Sequence, residues 1–167
     1  MLLFHGSNTE VIVPQLIIKS RGLDFGPGFY LTSNREQAED FSKKVARRNS
    51  SRSMVVSVFE FMGAPHSDLN MLYFHQPSVE WLDFTRQNRL LMYSGDLYDI
   101  VVGPVANDDV YPTMQLYWIY WTGAISAEVA IAQLKVKPLY DQYCFLTEKG
   151  LNYLQFRHSY VTDNGGD

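Results

Sequence analysis

Apolar positions fall along this chain in short runs broken by turn residues, with a few stretches at helical spacing. Residues 2–5 form an apolar run that stops at Gly6-Ser7 and predict an opening strand. Residues 11–18 contain Pro14 and read as irregular, and residues 21–28 are rich in turn formers. Residues 29–32 predict a second short strand. Ser33 opens the clearest helix: Ser33-Asn34-Arg35-Glu36 fits a capping box, and Ala38, Phe41 and Val45 follow at helical spacing. Lys43, Lys44, Arg47 and Arg48 gather near its C-terminal end, where cations suit the helix dipole.

Further on, residues 54–61 predict a strand, 68–74 a strand or loop, and 79–91 a helix with Trp81, Phe84 and Leu91 as its apolar face. Residues 98–102 read as a strand ended by Gly103-Pro104, and 107–109 as a loop. Residues 114–121 fit strand or helix equally. Ser126 caps a short helix running to Leu134, and 135–141, with Pro138, form a loop. Residues 142–146 predict a strand, and 148–156 a last helix or extended segment. No repeat or linker divides the chain. The pattern gives one mixed α and β domain, residues 1–162, and a frayed tail, 163–167.

Composition narrows the picture. The chain has 167 residues, is 46% hydrophobic and 14% aromatic, and can bury a core. A net charge of −4 excludes a general nucleic-acid coat. A local basic patch remains at Lys43, Lys44, Arg47, Arg48 and Arg52, whose ordinary reading is a solvated helix face. With Cys144 the only cysteine, neither an intrachain disulfide nor a multi-cysteine metal site is expected, and its apolar neighbours make it a small buried hydrophobe. Without an apolar leader or membrane-length run, the expected location is the cytoplasm.

The candidate chemistry lies near the N-terminus. Phe4-His5-Gly6-Ser7 is followed by Gly26-Pro27-Gly28-Phe29-Tyr30-Leu31-Thr32, and then by a helix carrying Phe41. Each piece alone has an ordinary structural reading. In this order they resemble the ADP-ribosyltransferase superfamily, in the His-Tyr branch that holds diphtheria-type toxins and poly(ADP-ribose) polymerases. The resemblance covers residues 4–41 well and 140–154 more loosely. It implies an α+β fold, two small packed sheets around an NAD cleft with flanking helices. Tyr30 and Phe41 would stack on the flat, cationic nicotinamide. The Gly6 backbone would pair with its amide, and His5 would bond the adenosine ribose. Ser7 and Gly28 fall within the matching motifs, and Arg21 is a candidate phosphate contact. The chain departs from the family at Ala38, where a serine three residues before the stacking aromatic usually helps to hold the amide.

The family also places a glutamate at the start of a late strand, to bind the nicotinamide ribose and stabilise developing positive charge. Aligned by strand, that position is Gln142; Glu148 competes. The two lie six residues apart, which in a strand is about 20 Å, too far to share one ribose. Thr147 would cap a helix in which Glu148 occupies the first turn. A glutamine brings no charge, and losing a preorganised stabilising group costs about 3–4 kcal/mol in a transition state. Transfer of a single ADP-ribose is therefore expected rather than chain elongation.

The resemblance implies an NAD-dependent mono-ADP-ribosyltransferase acting on a protein or nucleic acid, without a metal. By analogy with small bacterial members it would be the toxin of a toxin–antitoxin or phage-defence system, with a neutralising antitoxin protein as partner. Residues 111–121 are a candidate docking segment whose ordinary reading is buried core, and 135–141 form the loop expected to face the acceptor. Gln142 and Ala38 motivate an alternative, a catalytically inactive module that binds NAD or ADP-ribose. A third reading is a nucleic-acid modifier that uses the basic patch.

Overall fold

The computed structural model describes residues 1–16, 22–63, 68–105, 125–135 and 140–162. Arg21, the 107–109 loop, the 111–121 segment, Pro138 and the 163–167 tail lie outside the described residues.

Seven strands and four helices are present among the described residues. They run in the order β1 (Leu2–Ser7), β2 (Phe29–Leu31), α1 (Arg35–Arg48), β3 (Val55–Phe61), β4 (Met71–Tyr73), α2 (Val79–Arg89), β5 (Ile100–Pro104), α3 (Ala127–Lys135), β6 (Asp141–Phe145), α4 (Glu148–Leu151) and β7 (Leu154–Val161). They build two small sheets, so the architecture is α+β. One sheet has the order β1-β3-β7 and the other β2-β6-β5-β4. All pairings are antiparallel except β4 with β5.

Strand alternation sorts side chains into layers. Leu3, Phe59 and Phe61 of the first sheet meet Phe29, Leu31, Ile100, Val102 and Phe145 of the second to form the core between the sheets. On the other face of the first sheet, α1 covers Phe4, Val56 and Val58. On the other face of the second, α2 and α3 bring Trp81, Leu82, Phe84, Ala130, Ile131 and Leu134 against Val101 and Cys144.

Several elements differ from the sequence reading. The cap of α1 is Asn34, whose side chain accepts from the Gln37 amide, because Ser33 is tied to Asp141. The buried face of α1 is Ala38, Ser42 and Ala46; Phe41 is exposed and Val45 half-buried. Small residues let α1 sit close to the sheet, and that spacing wins over side-chain hydrophobicity. In α2, Leu91 falls beyond the helix with a φ of 60° and is exposed; Leu82 and Thr85 complete the face. Gly103 and Pro104 continue β5 rather than ending it. The segment read as helix or extended is both: one turn, α4, capped by Thr147, then the long strand β7. No described helix is long and apolar enough to cross a membrane.

Candidate functional site

The two sheets touch edge to edge at one place. Phe4 and Thr32 exchange both backbone hydrogen bonds, at 2.8 and 3.0 Å, as an isolated antiparallel bridge. Continuing that ladder would set Gly6 opposite Tyr30. Instead the strands part there, and the His5 imidazole bonds the Tyr30 carbonyl through Nδ1 at 2.7 Å. By ladder alternation the Gly6 N–H and C=O point to the same side as those of Phe4, into the split between β1 and β2. The split thus offers one backbone donor beside one backbone acceptor.

His5 is fixed in orientation and charge state. Its ring stacks on Phe29, with centroids 4.4 Å apart. Burial lowers its pKa, opposed by the bond to the Tyr30 carbonyl. A carbonyl only accepts, so Nδ1 carries the proton and Nε2 is left as an acceptor. Ser7 ends β1 half-buried, opposite Val55 and on the His5 side of the strand.

Gly6 is required by α1. A Cβ there would lie 2.1 Å from the Ala38 carbonyl oxygen and 2.9 Å from the Ser42 amide nitrogen. The helix backbone therefore rests on the strand, and Ala38 is part of that contact. Phe41 is 45% exposed and projects from the same turn of α1. Gln37, one turn earlier on the same flank, donates to the Asp141 carbonyl and accepts from the Thr32 hydroxyl. That flank faces β2 and the start of β6, so Phe41 stands beside the split with its ring uncovered.

Tyr30 lies opposite Cys144 in the β2–β6 ladder and packs with the cluster on the α2 side. Its hydroxyl donates to the Gly26 carbonyl at 2.7 Å and accepts from the Phe25 amide at 3.1 Å. Burial holds its pKa well above the ordinary tyrosine value. Gly26 has a φ of +97°, so this turn needs a glycine. Gly28 packs against β6: a Cβ would come within 2.5 Å of the Phe145 carbonyl oxygen.

Register places Gln142 on the Tyr30 and Cys144 face of β6. Its Nε2 donates to Asp24 Oδ2 at 3.1 Å and to the Pro104 carbonyl at 3.4 Å. Arg89 Nε donates to the other Asp24 oxygen at 2.5 Å. The Asp141 carboxylate accepts from the Thr32 hydroxyl and from the Ser33 amide and hydroxyl, anchoring β6 to the start of α1. Glu148 is exposed in the first turn of α4, past the far end of β6. The structure brings Gln142, and not Glu148, to the face that carries Tyr30.

Comparison with known proteins adds a family. The model described as "Protein of unknown function (DUF3990)" matches residues 1–156. The chain belongs to this family. None of the curated proteins and none of the solved structures compared with it matches.

Within this DUF3990 chain, the match runs from β1 into β7 and so includes His5, Gly6, Tyr30, Phe41 and Gln142. Sequence reasoning missed Asp24 and Arg89. Asp24 reads as one more turn residue, and only the fold shows it meeting Gln142 and Arg89. A separate open cavity of about 450 Å³ lies at the ends of β4, β5 and β6, bordered by Tyr73, His75, Tyr140 and Tyr143. In the basic patch Lys43 pairs with Asp40, while Arg47, Arg48 and Arg52 are exposed. Among the described residues no group of three or more His, Cys, Asp or Glu side chains is placed to hold a metal ion.

Proposed function

We propose that this protein is an NAD-dependent mono-ADP-ribosyltransferase of the ADP-ribosyltransferase fold, transferring ADP-ribose to a macromolecule. The observation that carries the reading is the split between β1 and β2. There the Gly6 N–H and C=O open beside the Tyr30 backbone that His5 holds, and the exposed Phe41 ring projects from the helix that rests on Gly6. A primary carboxamide on a flat cationic ring needs one acceptor, one donor and aromatic faces, and this constellation supplies them. His5 adds a neutral Nε2 acceptor suited to a ribose hydroxyl.

In the reaction the nicotinamide–ribose C–N bond breaks, and its electron pair leaves with nicotinamide. Positive charge develops at the ribose carbon. The acceptor atom bonds to that carbon and gives up its proton. Gln142 is the group we assign to the ribose, from its place on the Tyr30 face. Tyr140 and Asp141, at the start of β6, border the 450 Å³ cavity, which makes that end the side for the acceptor. Toxicity to the producing cell and a neutralising partner protein accompany the proposal.

The test is nicotinamide release from NAD, with and without cell lysate. Phe41→Ala is the informative variant, because an exposed ring can be removed without opening the core. Wild type is expected to release nicotinamide, and Phe41→Ala to lose about five- to 150-fold, the loss of about 1–3 kcal/mol of stacking. Binding of NAD without release would favour an inactive binding module. Absence of NAD binding would overturn both readings. Induced expression that halts growth in the wild type and not in Phe41→Ala would support the toxin role, and no growth effect would remove it.

A further inference from the structure

Gln142 is 8% exposed, and both protons of its amide nitrogen are engaged, by Asp24 Oδ2 and by the Pro104 carbonyl. A carboxylate and a carbonyl can only accept. These two partners therefore fix the NH2 on their side and aim Oε1 away from them. Among the described residues Oε1 accepts no hydrogen bond, so a buried acceptor is presented with its orientation already set. Asp24 is itself 8% exposed and is held through its other oxygen by Arg89, reaching from α2. Its turn also fixes Tyr30, since the Gly26 carbonyl and the Phe25 amide hold the Tyr30 hydroxyl. One turn thus locks two side chains of the candidate site.

We propose that Asp24 is a positioning residue: its carboxylate holds the Gln142 amide so that Oε1 is presented to a sugar hydroxyl of the substrate, and it lends that oxygen negative charge that a glutamine lacks. The inference rests on the transferase reading above. An N–H that donates to an anion forms a charge-assisted bond and pushes electron density onto the amide oxygen, more strongly in a dry site. Arg89 compensates the buried carboxylate, so the charge is tolerated at that depth. The arrangement also explains why a glutamate would suit position 142 poorly here: two carboxylates about 3 Å apart cannot both ionise at neutral pH.

The decisive experiment is Gln142→Glu, alone and combined with Asp24→Asn. Among the described residues, the groups facing the introduced carboxyl are Asp24 in its turn, Arg89 on α2, Tyr30 on the neighbouring strand β2 and Cys144 two residues along β6 itself. Carbon-13 NMR titration of that carboxyl needs no NAD. Its midpoint is expected at least about one pH unit higher in the single variant than in the double one, where the side-chain amide introduced at position 24 donates to it. Nicotinamide release should then rise with pH in Gln142→Glu and lie flat in the double variant. Asp24→Asn alone, whose single oxygen can serve Gln142 or Arg89 but not both, should lower kcat about tenfold with KM little changed. Equal midpoints, or an unchanged kcat in a folded Asp24→Asn, overturn the inference even where the wild type releases nicotinamide. A wild type that releases none overturns the reading beneath it, and the role at the sugar with it, even where the midpoints differ. Should Asp24→Asn fail to fold, the Gln142→Glu midpoint decides alone: a value in the ordinary glutamate range overturns the proposal.

Discussion

The two outer faces of the sheets are covered in opposite ways. On the first sheet, α1 lies down through Ala38, Ser42 and Ala46, with its backbone against Gly6. On the second, α2 and α3 stand off on Trp81, Phe84, Ile131 and Leu134. Bulky packing supplies apolar burial and tolerates adjustment. Close backbone contact buries little but leaves the helix no freedom to shift. The candidate site draws on the close contact: Phe41 and Gln37 take their positions from α1, and α1 takes its position from a glycine.

Substitutions can break that contrast. Phe84→Ala, which removes a ring packed against Phe25, Phe74 and Tyr93, is expected to cost about 3–5 kcal/mol in denaturant unfolding. The folded fraction should still bind NAD. Gly6→Ala should cost about 3 kcal/mol, the upper end of overpacking, because the clash is with helix backbone that cannot rotate away. It should also abolish nicotinamide release in whatever remains folded, as titration calorimetry with NAD would show in parallel. If Gly6→Ala binds NAD as the wild type does, the close contact does not set the site. Asn34→Ala removes the α1 cap and should cost about 1 kcal/mol, read as a lower midpoint in thermal melts.

The smallest effect concerns pH. Folding lowers the pKa of His5, by burial. Its contribution to stability is fully present above the ordinary imidazole value of about 6.5. As pH falls through that value, the unfolded chain takes up a proton that the folded chain resists, and stability is lost. Melting temperatures should therefore fall between about pH 7.5 and pH 5.5, and less steeply in His5→Gln. An equal slope in that variant would show that His5 is not the responsible group.

Much of this is legible in the sequence, where local chemistry decides. The β1 and β2 runs, the helix after them, the Thr147 cap and the buried Cys144 all follow from local pattern. The cap of α1 sits one residue later than its pattern suggests because Ser33 has a partner, Asp141, 108 positions away. The strand β7 is hidden because a bulge opposite Val58 and Phe59 breaks its alternation: Leu154 and Phe156 face the core between the sheets, whereas Tyr160 faces the α1 side. Phe41 reads as core and as a site residue together, and only its exposure separates the two. The Asp24–Gln142–Arg89 chain is illegible because it joins a turn, a strand and a helix with no shared sequence spacing.

The lone thiol gives the protein a built-in reporter. Cys144 is fully buried, beside Tyr30 in the ladder and within 4.0 Å of the Gly26 carbonyl, and burial pushes its pKa far above the ordinary thiol value. A thiol reagent can label it only when β2 lifts from β6 or the α2 side opens. The rate of labelling under native conditions is therefore a clock for opening at this one spot. Any small molecule that clamps Tyr30 should slow that clock, which gives a binding assay with no need for a fluorescent tag or a catalytic readout.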